Sequence, residues 1–278
     1  MSETAPVSVI IPCYHCIQTL ARAVASVAAQ TVLPVELILV DDGSADTTRS
    51  FLYDLRNRYE PGWIKLVLLD QNVGAASARN AGWDCANGRY VAFLDADDSW
   101  HPNKIQLQYE FMRSEPGVAV CGHGHDQLIR IRKPVLLDKP VFRNISAFYV
   151  LLKNPFITPS FMVRSDLPIR FLAGRRHMED HLFLMHVTAA GLRVARTPLR
   201  MASIYKNIFG DAGLSADLWI MQRCELQNYE LLNHEGRLSK VTTTLLKAYS
   251  WIKFVRRYVI VSFRRLKHSF GQKIKALS

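Results

Sequence analysis

The chain has 278 residues, 49% of them hydrophobic, and a formal net charge of +11. That length and apolar content are enough to bury a full core, exclude disorder of the whole chain, and divide most simply into one domain with a C-terminal extension. Eleven of the 35 Lys and Arg residues lie in 236–278, which holds no Asp or Glu, leaving 24 basic against 24 acidic residues in 1–235; the body is neutral and the tail carries the excess.

The β-branched run VSVII (7–11) predicts a buried strand that ends at Pro12 in the turn PCYHC. A helix follows over Thr19 to Gln30, with Leu20, Val24 and Val27 at helical spacing. LILV (37–40) predicts a second strand, closed by Asp41-Asp42-Gly43-Ser44, then a helix from Asp46 to Tyr59. IKLVLL (64–69) is a third strand, leading through DQNVG into a small-residue helix, AASARNAGWDCAN. YVAFL (90–94) is a fourth and runs straight into Asp95-Ala96-Asp97-Asp98. Strands alternating with helices predict a Rossmann-like, doubly wound parallel sheet with right-handed crossovers. Ligands of such sheets bind outside the carboxyl ends of the strands, where PCYHC, DDGS and DADD sit.

Beyond Pro102 a helix is expected over Asn103 to Ser114 and a strand over GVAVCG (117–122), then short mixed elements. RRHMEDHLFLMHVTAAG (175–191) predicts an acidic helix start and an apolar helix that Gly191 ends. The last forty residues predict a helix with aromatic and aliphatic residues among basic ones. No run of eighteen apolar residues occurs, and MSETAPVSVIIP has no basic start or apolar stretch of a secretory signal, so a cytoplasmic protein is expected.

Asp95 and Asp97 have the spacing and residue type to hold a hard divalent cation, which in turn bridges phosphate oxygens. The plainer reading is an Asx-turn, or a helix N-cap that Asp97 or Asp98 supplies for the helix after Pro102. Asp41-Asp42 suits a base or ribose, and equally a D-G-S turn. Gly74 and the small residues after it open a helix whose free N–H groups favour an anion, and Arg79 one turn on can meet a phosphate or pair with a site aspartate. No GxGxxG or GxxxxGK[ST] is present. The five cysteines (13, 16, 85, 121, 224) are odd in number and without framework spacing, so reduced thiols are expected.

VSVIIPCYHCIQTLARAVASVAAQTVLPVELILVDDGSADTT, NVGAASARNAG and GRYVAFLDADDSWHPNKI, in that order, resemble the inverting family two glycosyltransferases of the GT-A fold. The resemblance implies a GT-A domain over 1–235, nucleotide-sugar binding in 1–115 and acceptor binding in 116–235, followed by a basic helical tail, 236–278. It implies that Pro12, Tyr14, Asp41 and Asp42 hold the base and ribose of a nucleotide-diphosphate sugar, and that Asp95 and Asp97 hold ribose and a Mn²⁺ or Mg²⁺ ion. Gly74 and Arg79 belong to the same donor site. It also implies a catalytic aspartate in a Glu-Asp pair, for which Asp180 is the candidate; without the family, dipole complementation of a helix start is the preferred reading of Glu179-Asp180.

The Q-x-x-R-W motif and long membrane helices of processive members are absent, which points to single sugar addition. Tyr205 to Ser215 occupies the place of a loop that closes on the donor. A sugar-nucleotide nucleotidyltransferase is the rival enzyme, but it carries a G-x-G-T-R-type loop where this chain has PCYHC; a non-catalytic sugar- or nucleic-acid-binding module is the other rival. The CxxC of PCYHC lacks the further ligands of a zinc site, and a redox pair is not excluded by local context. The resemblance makes it a nucleotide-binding turn whose cysteines are incidental. The tail suits an anionic membrane surface, which would bring the enzyme to a lipid-linked or saccharide acceptor of surface-polysaccharide or lipopolysaccharide synthesis on the inner membrane's cytoplasmic face. Nucleic acid is not expected as a partner, since no recognition motif accompanies the charge.

Overall fold

A computed structural model describes residues 4–127, 141–205 and 217–276, with side chains to 262. The chain divides into two compact units, Met1–Lys206 and Asn207–Ser278. The boundary expected at 235 therefore falls inside the second unit, because the helix before it packs on the tail helix.

In the first unit, strands β1 (Thr4–Cys13), β2 (Leu33–Asp42), β3 (Ile64–Leu69) and β4 (Tyr90–Phe93) alternate with helices α1 (Ile17–Ala28), α2 (Thr48–Arg56) and α3 (Ala75–Asp84). They lie in the order β3-β2-β1-β4, all parallel. The later strands are β5 (Ser99–Trp100), β6 (Val118–Gln127), β7 (Arg143–Ile145), β8 (Met162–Arg164) and β9 (Arg193–Ile204), with α4 (Lys104–Ser114), α5 (Ala147–Leu152) and α6 (Glu179–Ala189) between them. β8 adds antiparallel to β4, β6 antiparallel to β8, and β9 parallel to β6, so most paired residues of this mixed sheet lie in parallel pairs.

The two-residue period of the strands feeds both faces. Val7, Val9 and Ile11 of β1 and Leu37 and Leu39 of β2 join Leu20, Val24 and Val27 of α1 in one core. Ile10 and Val40 point to the other face, where a Cβ on Gly82 of α3 would come within 2.6 Å of Ile10 and 2.9 Å of Val40. Glycine at that position lets the helix backbone sit on the sheet.

β1 and β2 run past their apolar stretches, because the backbone ladder continues through Pro12↔Val40 and Cys13↔Asp41. The polar residues of both turns are thus launched from paired strand. β1 is central, with β2 on one side and β4 on the other, so the chain reverses its direction of growth beside β1. That crevice is where ligands of open α/β sheets bind.

The second unit is a helical hairpin of α7 (Leu218–His234) and α8 (Lys240–Ala276). Asp217 caps α7 by accepting from Trp219 and Ile220 N–H groups, and Gly236 turns the connection in left-handed backbone (φ 72°). Leu246, Ser250 and Phe254 of α8 are buried; Ser250 donates to Gln222, and Phe254 meets the ring of Trp219 at 4.6 Å. Glu225 of α7 is ion-paired with Lys253. No helix among the described residues is long and apolar enough to cross a membrane.

Candidate active site

The sheet brings three strand ends to one crevice. Beyond β1, Tyr14 is 49% exposed, its ring edge-on to His15 at 4.2 Å, beside the half-buried Pro12. His15 has φ 47°, a left-handed conformation that His tolerates better than most side chains, and its Nδ1 lies 2.9 Å from Asp46. Cys13 is buried and donates to the Ile11 carbonyl (3.4 Å). Burial pushes its thiol well up, while a hydrogen bond from the Cys13 side holds Cys16 lower.

Asp41 and Asp42 are both buried and both engaged. Asp41 takes Arg49 Nε at 3.0 Å and the Ser44 N–H at 3.3 Å. Asp42 accepts the N–H groups of Val73 (2.8 Å) and Gly74 (3.0 Å) and the Asn72 amide (3.0 Å). Here the turn chemistry is what the geometry displays: Asp42 clamps the approach to α3, and Gly74 enters that helix at φ 89°, where a side chain would be strained.

Asp95 and Asp97 leave the end of β4 in a tight turn, the Asp98 N–H donating to the Asp95 carbonyl (3.0 Å). Neither Asp97 nor Asp98 is the N-cap of α4; that position is Asn103, which makes no side-chain cap. Arg22 of α1 donates to the Asp97 carbonyl (2.6 Å) and stacks 3.6 Å from the Tyr205 ring centroid, fixing the turn from outside.

Arg79 pairs with a site aspartate, one of its two expected roles. It is 4% exposed, with one Nη 2.7 Å from Asp95 and the other 3.0 Å from Glu179 at the start of α6. Despite the desolvation that opposes it, the two carboxylates raise its pKa. Asp180, next along, is partly buried and accepts from Asn154 (2.8 Å) and the His181 N–H (2.7 Å). Burial first, and the Glu179 charge second, push the Asp180 carboxyl up to about 7. Met178 just before this pair is left-handed (φ 58°), a conformation that costs a branched or bulky side chain energy and here aims both carboxylates.

An aromatic cluster makes this arrangement rigid. α3 carries Arg79 and, one turn on, Trp83; β4 carries Phe93 two residues before Asp95; α6 carries Phe183 one turn after Glu179. The rings meet, Trp83–Phe93 at 5.4 Å and Trp83–Phe183 at 6.1 Å, and Phe171 joins Phe93 at 5.2 Å and Phe183 at 4.8 Å. Each element that presents a charge to the site is thus anchored by a ring in one cluster. Phe183→Ala is expected to cost about 3–5 kcal/mol in equilibrium unfolding, the range for truncating a buried aromatic side chain; a loss below about 1 kcal/mol would mean the cluster does not anchor α6.

Among the described residues no three His, Cys, Asp or Glu groups converge as a self-sufficient metal cage. Asp95 gives one oxygen to Arg79, and Asp97 is half-buried at the mouth. Two carboxylate residues and no soft ligand fit Mg²⁺ or Mn²⁺, which completes its shell from water and substrate phosphates. From residue 206 on, the expected donor-closing loop lies outside the described residues.

An acidic strand end thus lies at the reversal point of the α/β sheet, where ligands of such sheets bind, and is locked through a buried arginine to an acidic helix start. The chain belongs to glycosyl transferase family 2, whose model matches residues 8–168, more than half of its length. It is 45% identical over 152 residues to the putative teichuronic acid biosynthesis glycosyltransferase TuaG of Bacillus subtilis, covering 54% of this chain and 58% of that one. It is 40% identical over 109 residues to the UDP-Glc:alpha-D-GlcNAc-diphosphoundecaprenol beta-1,3-glucosyltransferase WfaP of Escherichia coli, covering 39% of this chain and 42% of that one. The chain thus spans about half the length of these relatives. In fold it is similar to S. aureus TarS 1-349 in complex with UDP-GlcNAc, with a TM-score of 0.63 and 21% identity over 91% of this chain and 72% of that one.

Proposed function

We propose that this protein is an inverting, metal-dependent glycosyltransferase. It moves one sugar from a nucleotide-diphosphate sugar, a UDP-sugar in our reading, to a saccharide or lipid-linked acceptor of surface-polysaccharide synthesis. The observation that carries the reading is Asp180: a carboxylate with a raised pKa, fixed by two hydrogen bonds and tied through Glu179 and Arg79 to the Asp95 turn. A base poised near neutral pH is matched to taking a proton from a hydroxyl. Asp180 receives the acceptor's hydroxyl proton as that oxygen attacks the anomeric carbon from the face opposite the nucleotide, and the nucleotide diphosphate leaves. Asp97 and Asp95 would hold a divalent ion, which would supply positive charge against the leaving diphosphate. Tyr14 and Pro12 border the nucleotide; Asp41, Asp42 and Gly74 act there by holding the turns that shape its pocket.

Relatives support the substrate classes: WfaP carries UDP-Glc and a diphosphoundecaprenol acceptor in its name, and the TarS complex contains UDP-GlcNAc. A panel of nucleotide sugars assayed for nucleotide release, with and without Mn²⁺, tests the proposal. One UDP-sugar is expected to turn over only with metal; no binding and no turnover of any donor with any metal would remove the reading.

The second unit supplies the membrane contact, in keeping with work on the cytoplasmic face of the inner membrane. Opposite the buried face of α8, Val241, Leu245, Ile252, Val255 and Val259 form an exposed apolar stripe, flanked by Trp251, Tyr258 and Arg256. An apolar face bordered by aromatic and basic residues is the pattern of a helix lying in an anionic bilayer surface. A second copy of the same helix would bring like charges together. Binding to phosphatidylglycerol vesicles that falls with salt and is lost in Ile252→Asp/Val259→Asp is the expected result. Binding that survives both substitutions would remove the membrane reading.

A further inference from the structure

The proposed base is held by a residue from a segment of the chain that carries no motif. Asn154 follows α5 and precedes Pro155, which restricts it to extended backbone. Its Oδ1 accepts the Phe156 N–H at 3.4 Å, so the amide can only turn its NH₂ group to Asp180, and it does so at 2.8 Å. Phe156 is itself pinned. It is 4% exposed and lies so close over Gly122 of β6 that a Cβ there would come within 2.5 Å of its ring. A second bond ties the same two elements, the His181 Nε2 donating to the Val150 carbonyl of α5 at 2.6 Å.

We propose that Asn154 is the positioning residue of the reaction, orienting the Asp180 carboxylate toward the acceptor and keeping it ionised. The inference rests on the reading of Asp180 as the base. A donor aimed at a carboxylate oxygen favours the charged form, against the burial and the Glu179 charge that favour the protonated one. The other charged group facing the pair is Arg79 of α3, which also favours the ionised state; the His181 ring is turned away to Val150. Asn154 is therefore the neutral element that offsets Glu179 without adding a charge to the acceptor pocket.

The test is the pH dependence of kcat/KM for transfer with the UDP-sugar found in the donor panel, measured on the whole chain for the parent, Asn154→Ala and the nearly isosteric Asn154→Asp, with Asp180→Asn alongside. Removing the donor in Asn154→Ala is expected to move the acid limb up by about one pH unit, so that activity falls about tenfold below the limb and returns toward the parent's at high pH, with the KM for donor unchanged. Asn154→Asp places a second carboxylate against Asp180 and is expected to move the limb further the same way. An acid limb unmoved in both variants, with activity lower by one factor at every pH, would reduce Asn154 to a packing residue and overturn the proposal. Should Asp180→Asn retain transfer, the base reading falls and this inference with it. Should Asp180→Asn abolish transfer while the limbs stay put, the inference about Asn154 falls alone.

Discussion

Asp180→Asn is expected to lower transfer by about 10²–10⁴-fold, the contribution of a positioned general base, while donor binding stays as it was. Asp97→Asn is expected to do the opposite, weakening metal-dependent donor binding first. Titrating the donor by calorimetry with and without Mn²⁺, and measuring turnover on the same preparations, separates the two; the reversed pattern would overturn the assignment of roles. The pKa shift adds a stability signature with a definite sign. The folded-state value of about 7 lies above the 3.8 of an ordinary aspartate, so the folded state binds the proton more tightly than the unfolded one. The stabilisation this gives is complete below pH 4 and is lost as pH rises to 7. Above pH 7 the wild type therefore carries the burden of an ionised, half-buried carboxylate, and Asp180→Asn is expected to be more stable than the parent by a few kcal/mol, on the order of 4 at most. Unfolding at pH 8 and pH 4 checks this, since the difference should shrink at the lower pH. Lower activity with higher stability is the trade expected where function requires a strained charge.

The strands that build the site were legible because their apolar runs end abruptly in polar residues. β3 coincides with IKLVLL, whereas β1 and β2 begin three and four residues before their apolar runs, at Thr4 and Leu33, and continue through the turn residues. β9 was not legible: RVARTPLRMASI mixes charge and proline with apolar residues, and its pairing with β6 passes through bulges that break a two-residue period. β5, β7 and β8 are too short, at two or three residues, to show any period. Within the site, DADD stood out locally, whereas Asp180 stood out only through the family resemblance; by itself a Glu-Asp helix start reads as dipole complementation, which its place in the first turn of α6 also allows. The spacing of Arg79 marks it in the sequence, but its partner Glu179 lies 100 residues away, and no local pattern announces such a pair. Arg22 and Asn154 are not legible in the sequence for the same reason. Each is an ordinary residue whose role arises from tertiary contact, with only Pro155 hinting that Asn154 is held in place.

Arg79→Met is the substitution from which the largest combined loss is expected. It leaves Glu179, 12% exposed in its side chain, without the cation that balances it, and breaking a buried pair by removing one partner costs about 3–5 kcal/mol. Lysine is not a remedy: the two carboxylates are met by separate nitrogens of one planar group, one from β4 and one from α6, and a single ammonium cannot span them in that geometry. The double variant Arg79→Met/Glu179→Gln, which removes the stranded charge as well, is expected to recover a large part of the loss, giving a coupling of about 1–3 kcal/mol in a double-mutant cycle. Transfer should not recover with it. Asp95 would still lack its buried partner, so the strand end that meets the donor stays unfixed; at Asp180 the lost Glu179 charge outweighs the lost Arg79 charge, so the acid limb of activity is expected to move down in the double variant while the level of activity stays low. Stability restored without activity would locate the work of Arg79 in the chemistry as well as in the fold: the aromatic cluster anchors the elements, and one cation at its edge ties the strand end proposed to meet the donor to the helix start proposed to meet the acceptor.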